Sequence, residues 1–284
     1  MIWYNGHLFD TSVVPFDLAD RGLLLADGLF ETMIVVGGIA FRLADHLDRL
    51  MAGAEIIGLS VDRARLQEAV SALAPHASGG GVLRLTVTRG PGPRGLAPPP
   101  ASVPTVIAAI AEWRRELVFQ PVSLALTSVR RNPFSPLSRI KSLAYLDNVL
   151  GLQDARRQGA DDAVFLNVAG AVACASAGNI FVIRGDAVVT PPIADGVLPG
   201  ITRRLVLSIG ERLGLQAREA SLSLDELQRA DAVFITNSVR LVSPVHAIFG
   251  ARLPQGGDRP AEEVLRHIAA LIEDECGANP LRQA

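Results

Sequence analysis

Residues 90–104, GPGPRGLAPPPASVP, restrict the fold of this chain more than any other segment, because they contain six prolines and three glycines. Proline lacks the N–H group that helices and inner strands require, so this segment must be a loop. VLRLTVTR at 82–89 precedes it and alternates like a strand, and TVIAAIAEW at 105–113 follows as a second strand. The fold must therefore join two strands through a long irregular connection.

Hairpins and helices are predicted before this loop. The pairs NG at 5–6 and GG at 37–38 each separate two short strand-like runs, as in tight β-hairpins. Apolar residues at helical spacing predict helices over 44–59 and 62–74. The first part of the chain therefore mixes strands and helices.

The second part of the chain alternates strand-like runs with helices. Two of the predicted helices cover 142–158 and 260–275, and a third begins at 201. A chain of 284 residues is long enough for two separate cores. We predict a protein of the α+β / α/β class with domains 1–115 and 121–284, joined by a linker at 116–120.

Composition and charge exclude several classes of protein. The chain is 49% hydrophobic and 20% charged, as in ordinary globular proteins, and its formal net charge of −2 gives no basic surface for nucleic acid or an anionic membrane. Cys174 and Cys276 lack the spacing of a disulfide framework or a zinc site. The N-terminus lacks the features of a signal peptide, and no run of about 18 apolar residues occurs. We expect a cytoplasmic protein with no metal and with no nucleic-acid or membrane partner.

Lys141 is the only lysine of the chain, which otherwise has 26 arginines. Arginine can replace lysine at most solvated positions, but it cannot form a Schiff base and stays protonated in proteins. A desolvated lysine amine attacks carbonyl groups. Lys141 is therefore a candidate nucleophile.

Two polar turns could bind a phosphate group. GVLPGITRRLVLSIGERLG at 196–214 leads a glycine-rich loop into an amphipathic helix, whose first N–H groups are oriented to bind an anion. The turn Thr236-Asn237-Ser238 follows a strand that resembles a buried one. Each could also be an ordinary junction between two elements.

Other cofactors and catalytic groups fit less well. GPGPRG at 90–95 formally matches a dinucleotide-binding fingerprint, but its prolines prevent the helix that this fingerprint requires. None of the five histidines pairs recognisably with Asp and Ser, and His46, on the 44–59 helix with Arg49, is expected to be a surface or packing residue. A single lysine, a phosphate-binding helix start and several arginines fit pyridoxal phosphate, which needs an amine, a phosphate site and a partner for its ring nitrogen.

The order of the motifs along the chain resembles the class IV aminotransferase family, the fold-type IV pyridoxal-phosphate enzymes. This family includes branched-chain and D-amino acid aminotransferases and 4-amino-4-deoxychorismate lyase. The motifs that carry the resemblance are NGH, DRGLLLADGLFET, HLDRL, TRGPGPRGL, RNPFSPLSRIKSLAYLDNVLG, GNIFVI, TPPIADGVLPGITR and TNSVRLVSPV. The resemblance implies a D-amino acid aminotransferase-like fold and a homodimer of two-domain subunits, with pyridoxal 5'-phosphate between the domains.

The resemblance also implies roles for single residues. Lys141 would form the Schiff base, and its predicted place at the start of the 142–158 helix would disfavour the protonated amine, since that end of the helix dipole is positive. Arg49 would bind the phosphate group. Further cofactor contacts are implied for Tyr145, Ile201, Thr202 and Ser238. Substrate contacts are implied for Phe30, Arg94, Leu96, Val239 and Arg240.

Cys174 departs from the family pattern. Five residues before Asn179, the family has a glutamate that keeps the pyridine nitrogen of the cofactor protonated, and this chain has Cys174 there. A thiol stabilises a pyridinium less well than a carboxylate does. Either Cys174 is a weak partner of the ring, or another acid replaces the glutamate, or the register is shifted.

Three functions are compatible with these residues. Most of the family are transaminases, so we expect transfer of an amino group between an amino acid or amine and a keto acid through a Lys141 Schiff base. RGPGPRG, TNSVR and Cys174 favour the alternative, a 4-amino-4-deoxychorismate lyase that makes 4-aminobenzoate and pyruvate for folate. Phe30 and Leu96 favour the same alternative, because they stand where D-amino acid aminotransferases place a tyrosine and a histidine for the substrate carboxylate. A non-catalytic cofactor-binding protein is the third interpretation, and the intact Lys141 and Arg49 disfavour it.

Overall fold

The computed structural model describes residues 1–77, 79–254 and 259–281. The chain forms two compact units. The first unit consists of Met1–Trp113, Ile140–Ala144 and Ile272–Ala284, and the second of Arg114–Arg139 and Tyr145–Leu271. The division of the sequence at 116–120 stays a prediction about separately folding domains, whereas these units are defined by their internal contacts.

The first unit is built on a six-stranded sheet in which all neighbouring strands are antiparallel. Its order is β2-β1-β6-β5-β3-β4. The strands are β1 (Ile2–Tyr4), β2 (His7–Phe9), β3 (Gly28–Val36), β4 (Ile39–Ala40), β5 (Gly81–Thr88) and β6 (Thr105–Glu112), and the helices are α1 (Arg21–Leu25), α2 (Leu43–Ile56) and α3 (Arg63–Leu73).

Both predicted hairpins of this unit are confirmed. Asn5 and Gly6 join β1 to β2 with φ of 48° and 96°, and Gly37 and Gly38 join β3 to β4 with φ of 58° and 78°. Two-residue hairpin turns of this kind require positive φ at both positions, which glycine and asparagine adopt most easily. Turn chemistry in the sequence therefore fixed the strand pairings at both places.

The helices of this unit cover the sheet through apolar stripes. Leu47, Leu50 and Ala54 of α2 are buried at helical spacing, as are Leu66 and Val70 of α3. They belong to one core that also contains residues of β3, β5 and β6. Each fully buried leucine contributes about 1.5–3 kcal/mol relative to an exposed one, so these stripes hold α2 against the sheet.

Among its described residues, the second unit contains nine strands that partly close on themselves. Its strands are β7 (Val122–Arg131), β8 (Asp162–Asn167), β9 (Val172–Ala175), β10 (Asn179–Arg184), β11 (Ala187–Thr190), β12 (Gln216–Glu219), β13 (Ala232–Asn237), β14 (Leu241–Ile248) and β15 (Ala251–Arg252). The order is β12-β11-β10-β13-β14-β7-β8-β9, and β15 pairs with β14. Because β9 also pairs with β10, six of these strands form a closed ring.

Helices flank these strands in sequence. They are α4 (Leu146–Arg157), α5 (Ile201–Arg212), α6 (Leu224–Gln228) and α7 (Arg259–Cys276), and the last residues of α7 group with the first unit. Every residue of β8 and β9 is buried, as expected for strands covered on both faces. Within the described residues, no helix is long and apolar enough to cross a membrane.

The predicted helix at 142–158 is wrong at its start, because α4 begins at Leu146. The segment before it is extended and pairs with the start of β3. The N–H of Phe30 donates to the carbonyl of Lys141 over 2.9 Å, and the N–H of Leu143 donates to the carbonyl of Gly28 over 3.0 Å. These backbone groups are used by strand pairing, so the helix cannot extend back to the lysine.

Candidate active site

Lys141 lies in the first unit, beside the first residues of β3. Its Nζ is 4.1 Å from the centre of the Phe30 ring, and the guanidinium of Arg84 lies 3.8 Å from the same centre. Phe30 is buried and Lys141 is half-buried. The extended pairing with β3 thus positions the amine against an aromatic ring, where water reaches it poorly.

A buried carboxylate lies next to this pair in sequence. Glu31 is fully buried, and the side chain of Arg49 binds both of its oxygens, with Nε to Oε1 at 2.8 Å and Nη2 to Oε2 at 2.6 Å. Nδ1 of His46 lies 2.7 Å from Glu31 Oε2. His46 and Arg49 are three residues apart on α2 and therefore lie on the same helix face. This two-point pairing fixes the plane of the Arg49 guanidinium.

The pKa values of Glu31 and His46 are both lowered in this cluster. Burial alone would raise the pKa of Glu31, but Arg49 and His46 outweigh it and lower that pKa to about 2. Burial lowers the pKa of His46, and the charges of Arg49 and Lys141 add to that effect, whereas Glu31 opposes it. The carboxylate therefore stays ionised at neutral pH and balances the charge of Arg49.

Burial also changes the chemistry of Lys141. Burial first, and then the charge of Arg49, lower its pKa to about 7, with Glu31 opposing and Arg84 adding to the decrease. The helix dipole proposed from the sequence is not the cause, since α4 begins only at Leu146. A substantial fraction of the Lys141 side chains therefore carries a neutral, nucleophilic amine near pH 7.

In the second unit, the start of α5 has the form of an anion site. Gly200 is its N-cap and has no side-chain cap, so the first turn presents backbone N–H groups, including those of Ile201 and the buried Thr202. A Cβ at Gly200 would lie 2.1 Å from Oδ1 of Asn179. Only glycine therefore allows the chain to approach Asn179 this closely.

The polar turn after β13 lies in the same unit. Oδ1 of Asn237 accepts hydrogen bonds from the N–H groups of Val239 and Arg240 over 2.9 and 2.8 Å, which orders the turn that contains the half-buried Ser238. In β13 the side-chain hydroxyl of Thr236 is buried without a hydrogen-bond partner among the described residues. Thr236 pairs across strands with Asn179, the residue that Gly200 approaches closely.

Cys174 is buried in β9, where it pairs across strands with Phe165 and Asn179. Burial raises the pKa of its thiol, Asp162 raises it further, and Arg131 only partly opposes this. Cys174 is therefore a neutral thiol at physiological pH. Asp162 is not a simple substitute for a missing glutamate, because its Oδ1 already accepts hydrogen bonds from the N–H of Ala163 at 2.7 Å and of Ser176 at 3.0 Å.

The remaining predicted site residues are placed by different elements. Tyr145 is half-buried at the N-cap of α4 in the second unit. Arg94 and Leu96 are both exposed on the loop 90–104 of the first unit, with Leu96 85% exposed. The structure thus brings Lys141, Arg49 and Phe30 together around β3 and leaves the loop residues at the surface.

Sequence reasoning missed two members of this cluster. Glu31 directly follows Phe30 in the motif LFET, and its burial was not foreseen. His46 is buried against Glu31, so of the two expectations for it, a surface residue or a packing residue, the structure supports packing. The spacing of His46 and Arg49 on one helix was the available signal. Among residues 1–77, 79–254 and 259–281, no group of three His, Cys, Asp or Glu side chains could hold a metal ion.

Comparisons with known proteins agree on one family. The sequence model of the family described as amino-transferase class IV matches residues 28–248. The chain is similar to the D-alanine aminotransferase of Bacillus licheniformis, with 32% identity over 268 residues that cover 91% of this chain and 92% of that protein.

Two solved structures are also similar over nearly their whole length. The branched-chain aminotransferase from Thermoproteus uzoniensis, solved with norvaline, has a TM-score of 0.86 and 28% identity, and the match covers 97% of each chain. The 4-amino-4-deoxychorismate lyase from Pseudomonas aeruginosa has a TM-score of 0.83 and 28% identity, covering 97% of this chain and 99% of that one. These neighbours confirm the predicted fold class.

The lowered pKa of Lys141 can be tested because the chain has no other lysine. In cofactor-free protein, the rate of reductive methylation of Lys141, measured by mass spectrometry, should rise through about pH 7 and level off above it. Arg49→Gln should raise this pKa, because it removes a positive charge and leaves Glu31 without its partner, so that labelling at pH 7 slows.

Arg63→Gln is the matched control, since Arg63 forms an exposed ion pair with Asp48. Its labelling curve should coincide with that of the unmodified protein. An unchanged curve for Arg49→Gln would contradict the assigned cause of the low pKa.

Proposed function

This chain belongs to the amino-transferase class IV family, and we propose that Lys141 is the residue with which it transfers an amino group between an amino acid or amine and a keto acid. The enzymes of this family depend on pyridoxal 5'-phosphate. The observation that carries the proposal is a half-buried lysine whose Nζ lies 4.1 Å from the centre of the Phe30 ring and whose pKa is lowered to about 7 by burial and by the charge of Arg49.

Bound pyridoxal phosphate supplies an aldehyde that bonds covalently to amines and a ring that accepts the electron pair of a bond broken beside the nitrogen. Lys141 Nζ, when neutral, would hold the cofactor through its amine. With substrate bound, the same Nζ would take up a proton from one atom and deliver it to another. A pKa close to neutral favours both directions of this transfer.

We assign the remaining cofactor contacts from the groups that each residue can offer to the phosphate or to the ring. Arg49 is held in one orientation by Glu31, which suits a guanidinium that binds a phosphate group. The uncapped start of α5 at Ile201 and Thr202 supplies N–H groups, and Ser238 adds a hydroxyl. We further assign Tyr145 and Cys174 to the cofactor ring, and Phe30, Arg94, Leu96, Val239 and Arg240 to the substrate.

We also propose that the protein is a cytoplasmic homodimer. Two exposed apolar surfaces support the dimer. One is formed by three consecutive leucines of α1, of which Leu23 and Leu24 are each 57% exposed. The other lies on α4, where Leu146, Val149 and Leu150 are exposed at positions i, i+3 and i+4 on one helix face. Contiguous exposed apolar residues of this kind are typical of protein interfaces.

A second candidate function is the carbon–carbon lyase, and Cys174 is the observation that favours it. A neutral thiol next to the ring nitrogen would not hold a proton there as a carboxylate does. The cofactor would then accept electrons less strongly, which slows transamination more than a reaction that forms an aromatic product. The similarity to the structure of the 4-amino-4-deoxychorismate lyase from Pseudomonas aeruginosa supports that particular lyase reaction as the candidate.

The transaminase function can be tested by titrating the cofactor-loaded protein with D-alanine, L-leucine and (R)-1-phenylethylamine. A true donor should shift the absorbance of the bound cofactor, and a keto acid should restore it. Lys141→Arg keeps a long basic side chain but not the nucleophile, so it should lose the covalent absorbance band and slow turnover by about 10²–10⁴-fold. If none of the donors changes the spectrum, the lyase becomes the leading candidate and pyruvate release is the assay.

The dimer can be tested with a charge on the apolar face of α4. Leu150→Glu should dissociate the protein into monomers in sedimentation velocity, because burying an unpaired carboxylate in an apolar interface is strongly unfavourable. Ser208→Glu adds the same charge at an exposed polar position of α5 and should leave the sedimentation unchanged. A Leu150→Glu protein that sediments like the original would remove α4 from the interface.

The role of Cys174 can be tested by restoring a carboxylate. Cys174→Glu should increase the ratio of transamination to pyruvate release by at least about tenfold, because a carboxylate would hold a proton on the ring nitrogen. Arg131, whose charge already acts on Cys174, would stabilise the new carboxylate. Cys174→Ser is the neutral control and should leave the ratio unchanged. Equal ratios in all three proteins would show that residue 174 does not act on the ring.

A further inference from the structure

One buried arginine of the first unit has no part in the proposed chemistry. Arg21, the first residue of α1, is only 3% exposed. A fully buried guanidinium is costly unless its N–H groups are paired. The side chain donates Nε to Oδ2 of Asp27 at 2.9 Å and its other N–H groups to the carbonyls of three successive loop residues, Gly95, Leu96 and Ala97, at 2.9, 2.9 and 3.4 Å.

These three carbonyls belong to the loop 90–104. Most of this loop has no helix or strand of its own, so few backbone hydrogen bonds order it. Its beginning is attached to the segment before α1, since the N–H of Arg21 donates to Gly90 over 3.0 Å and that of Gly92 donates to Ala19 over 3.2 Å. The guanidinium of Arg21 extends this attachment to the residues that directly follow Arg94.

A second arginine, Arg89, binds the same carboxylate of Asp27. Arg89 donates Nε to the same Oδ2 of Asp27 at 2.8 Å, and its remaining N–H groups bind the carbonyls of Gly58 and Ile57 at 2.8 and 2.7 Å. Burial would raise the pKa of Asp27, but the two arginines outweigh it and lower that pKa. One carboxylate therefore holds both guanidinium groups, one directed at the loop and one at the end of α2.

Asp27 immediately precedes β3, the strand that carries Phe30 and Glu31. The Arg21–Asp27–Arg89 cluster therefore fixes the loop with Arg94 relative to the same strand that positions Lys141. A loop held in advance does not have to be ordered by the substrate, which preserves binding free energy.

We propose that Arg21 is a positioning residue that holds residues 94–97 in place, so that Arg94 meets the carboxylate of an amino-acid substrate in a fixed position. This inference rests on the proposed function for the role of Arg94, but the attachment of the loop does not. Arg21 thereby sets the preference for donors with a carboxylate over amines that lack one.

Limited proteolysis of the cofactor-loaded protein tests the attachment. Trypsin can cleave after the exposed Arg94 only when the loop opens locally. Arg21→Lys keeps a charge beside Asp27 but replaces the three nitrogens that bind Asp27, Gly95 and Leu96 with one, and should increase cleavage at Arg94 roughly tenfold. Arg21→Met should increase it further. The conservative variant decides the question should Arg21→Met fail to fold.

Arg89→Lys is the matched control. It weakens an equivalent contact with Asp27 and two carbonyl contacts, but these are with Gly58 and Ile57 rather than with the loop. It should lower the melting temperature about as much as Arg21→Lys without increasing cleavage at Arg94. Equal cleavage in Arg21→Lys and the unmodified protein would overturn the attachment, as would an equal increase in both variants.

Steady-state kinetics test the consequence for substrates. In Arg21→Lys, KM for a donor with a carboxylate should rise roughly tenfold while kcat changes little, because the loop must be ordered during binding. KM for (R)-1-phenylethylamine and the absorbance of the bound cofactor should not change. If KM rises equally for both donors, or for neither, Arg21 does not position a carboxylate-binding residue.

The outcomes also separate this inference from the proposed function. If the unmodified protein reacts with donors and cleavage is the same in Arg21→Lys, the inference fails and the transaminase stands. If no donor reacts, the transaminase fails and the carboxylate role of Arg21 fails with it. Faster cleavage would then still establish the attachment of the loop.

Discussion

The ion pair between Glu31 and Arg49 is the interaction on which the lysine site depends. A carboxylate that is completely buried must be paired, and removing one partner of such a pair costs about 3–5 kcal/mol. The two-point contact holds Arg49 on α2 against β3 and keeps Glu31 ionised. Their charges then act in opposite directions on Lys141, so that its pKa reflects burial together with this pair.

Strand β3 organises the rest of the first unit. Its beginning lies between two carboxylates, the half-buried Asp27 before it and the fully buried Glu31 within it, and each carboxylate binds two basic side chains. The extended segment around Lys141 pairs with the same part of β3. The lysine, the phosphate-binding candidate Arg49 and the loop that carries Arg94 are therefore all fixed by one short stretch of strand.

In the second unit, backbone N–H groups rather than charged side chains form the proposed phosphate contact. The start of α5 offers uncapped N–H groups beside Asn179 of β10, and the turn after β13 offers the hydroxyl of Ser238. Both β10 and β13 belong to the closed ring of strands. Cys174 lies in this ring as a neutral thiol, where the family pattern has a carboxylate. In the proposed function, this thiol would leave the bound cofactor a weaker electron acceptor than a carboxylate would.

The sequence alone determined the features that depend on local chemistry. Both hairpin turns, the apolar stripes of α2 and α3, the loop at 90–104 and the glycine before α5 follow from residue types at fixed spacing, and Lys141 is evident because no other lysine exists. The tertiary structure decided the rest, because pairing between distant segments does not depend on local preference. Because the segment around Lys141 pairs with β3, the helix begins at Leu146 rather than at residue 142. The burial of Glu31 and His46, which gives Lys141 its charged surroundings, also depends on the folded chain. The contacts of Arg21 with the loop 90–104 likewise required the folded chain.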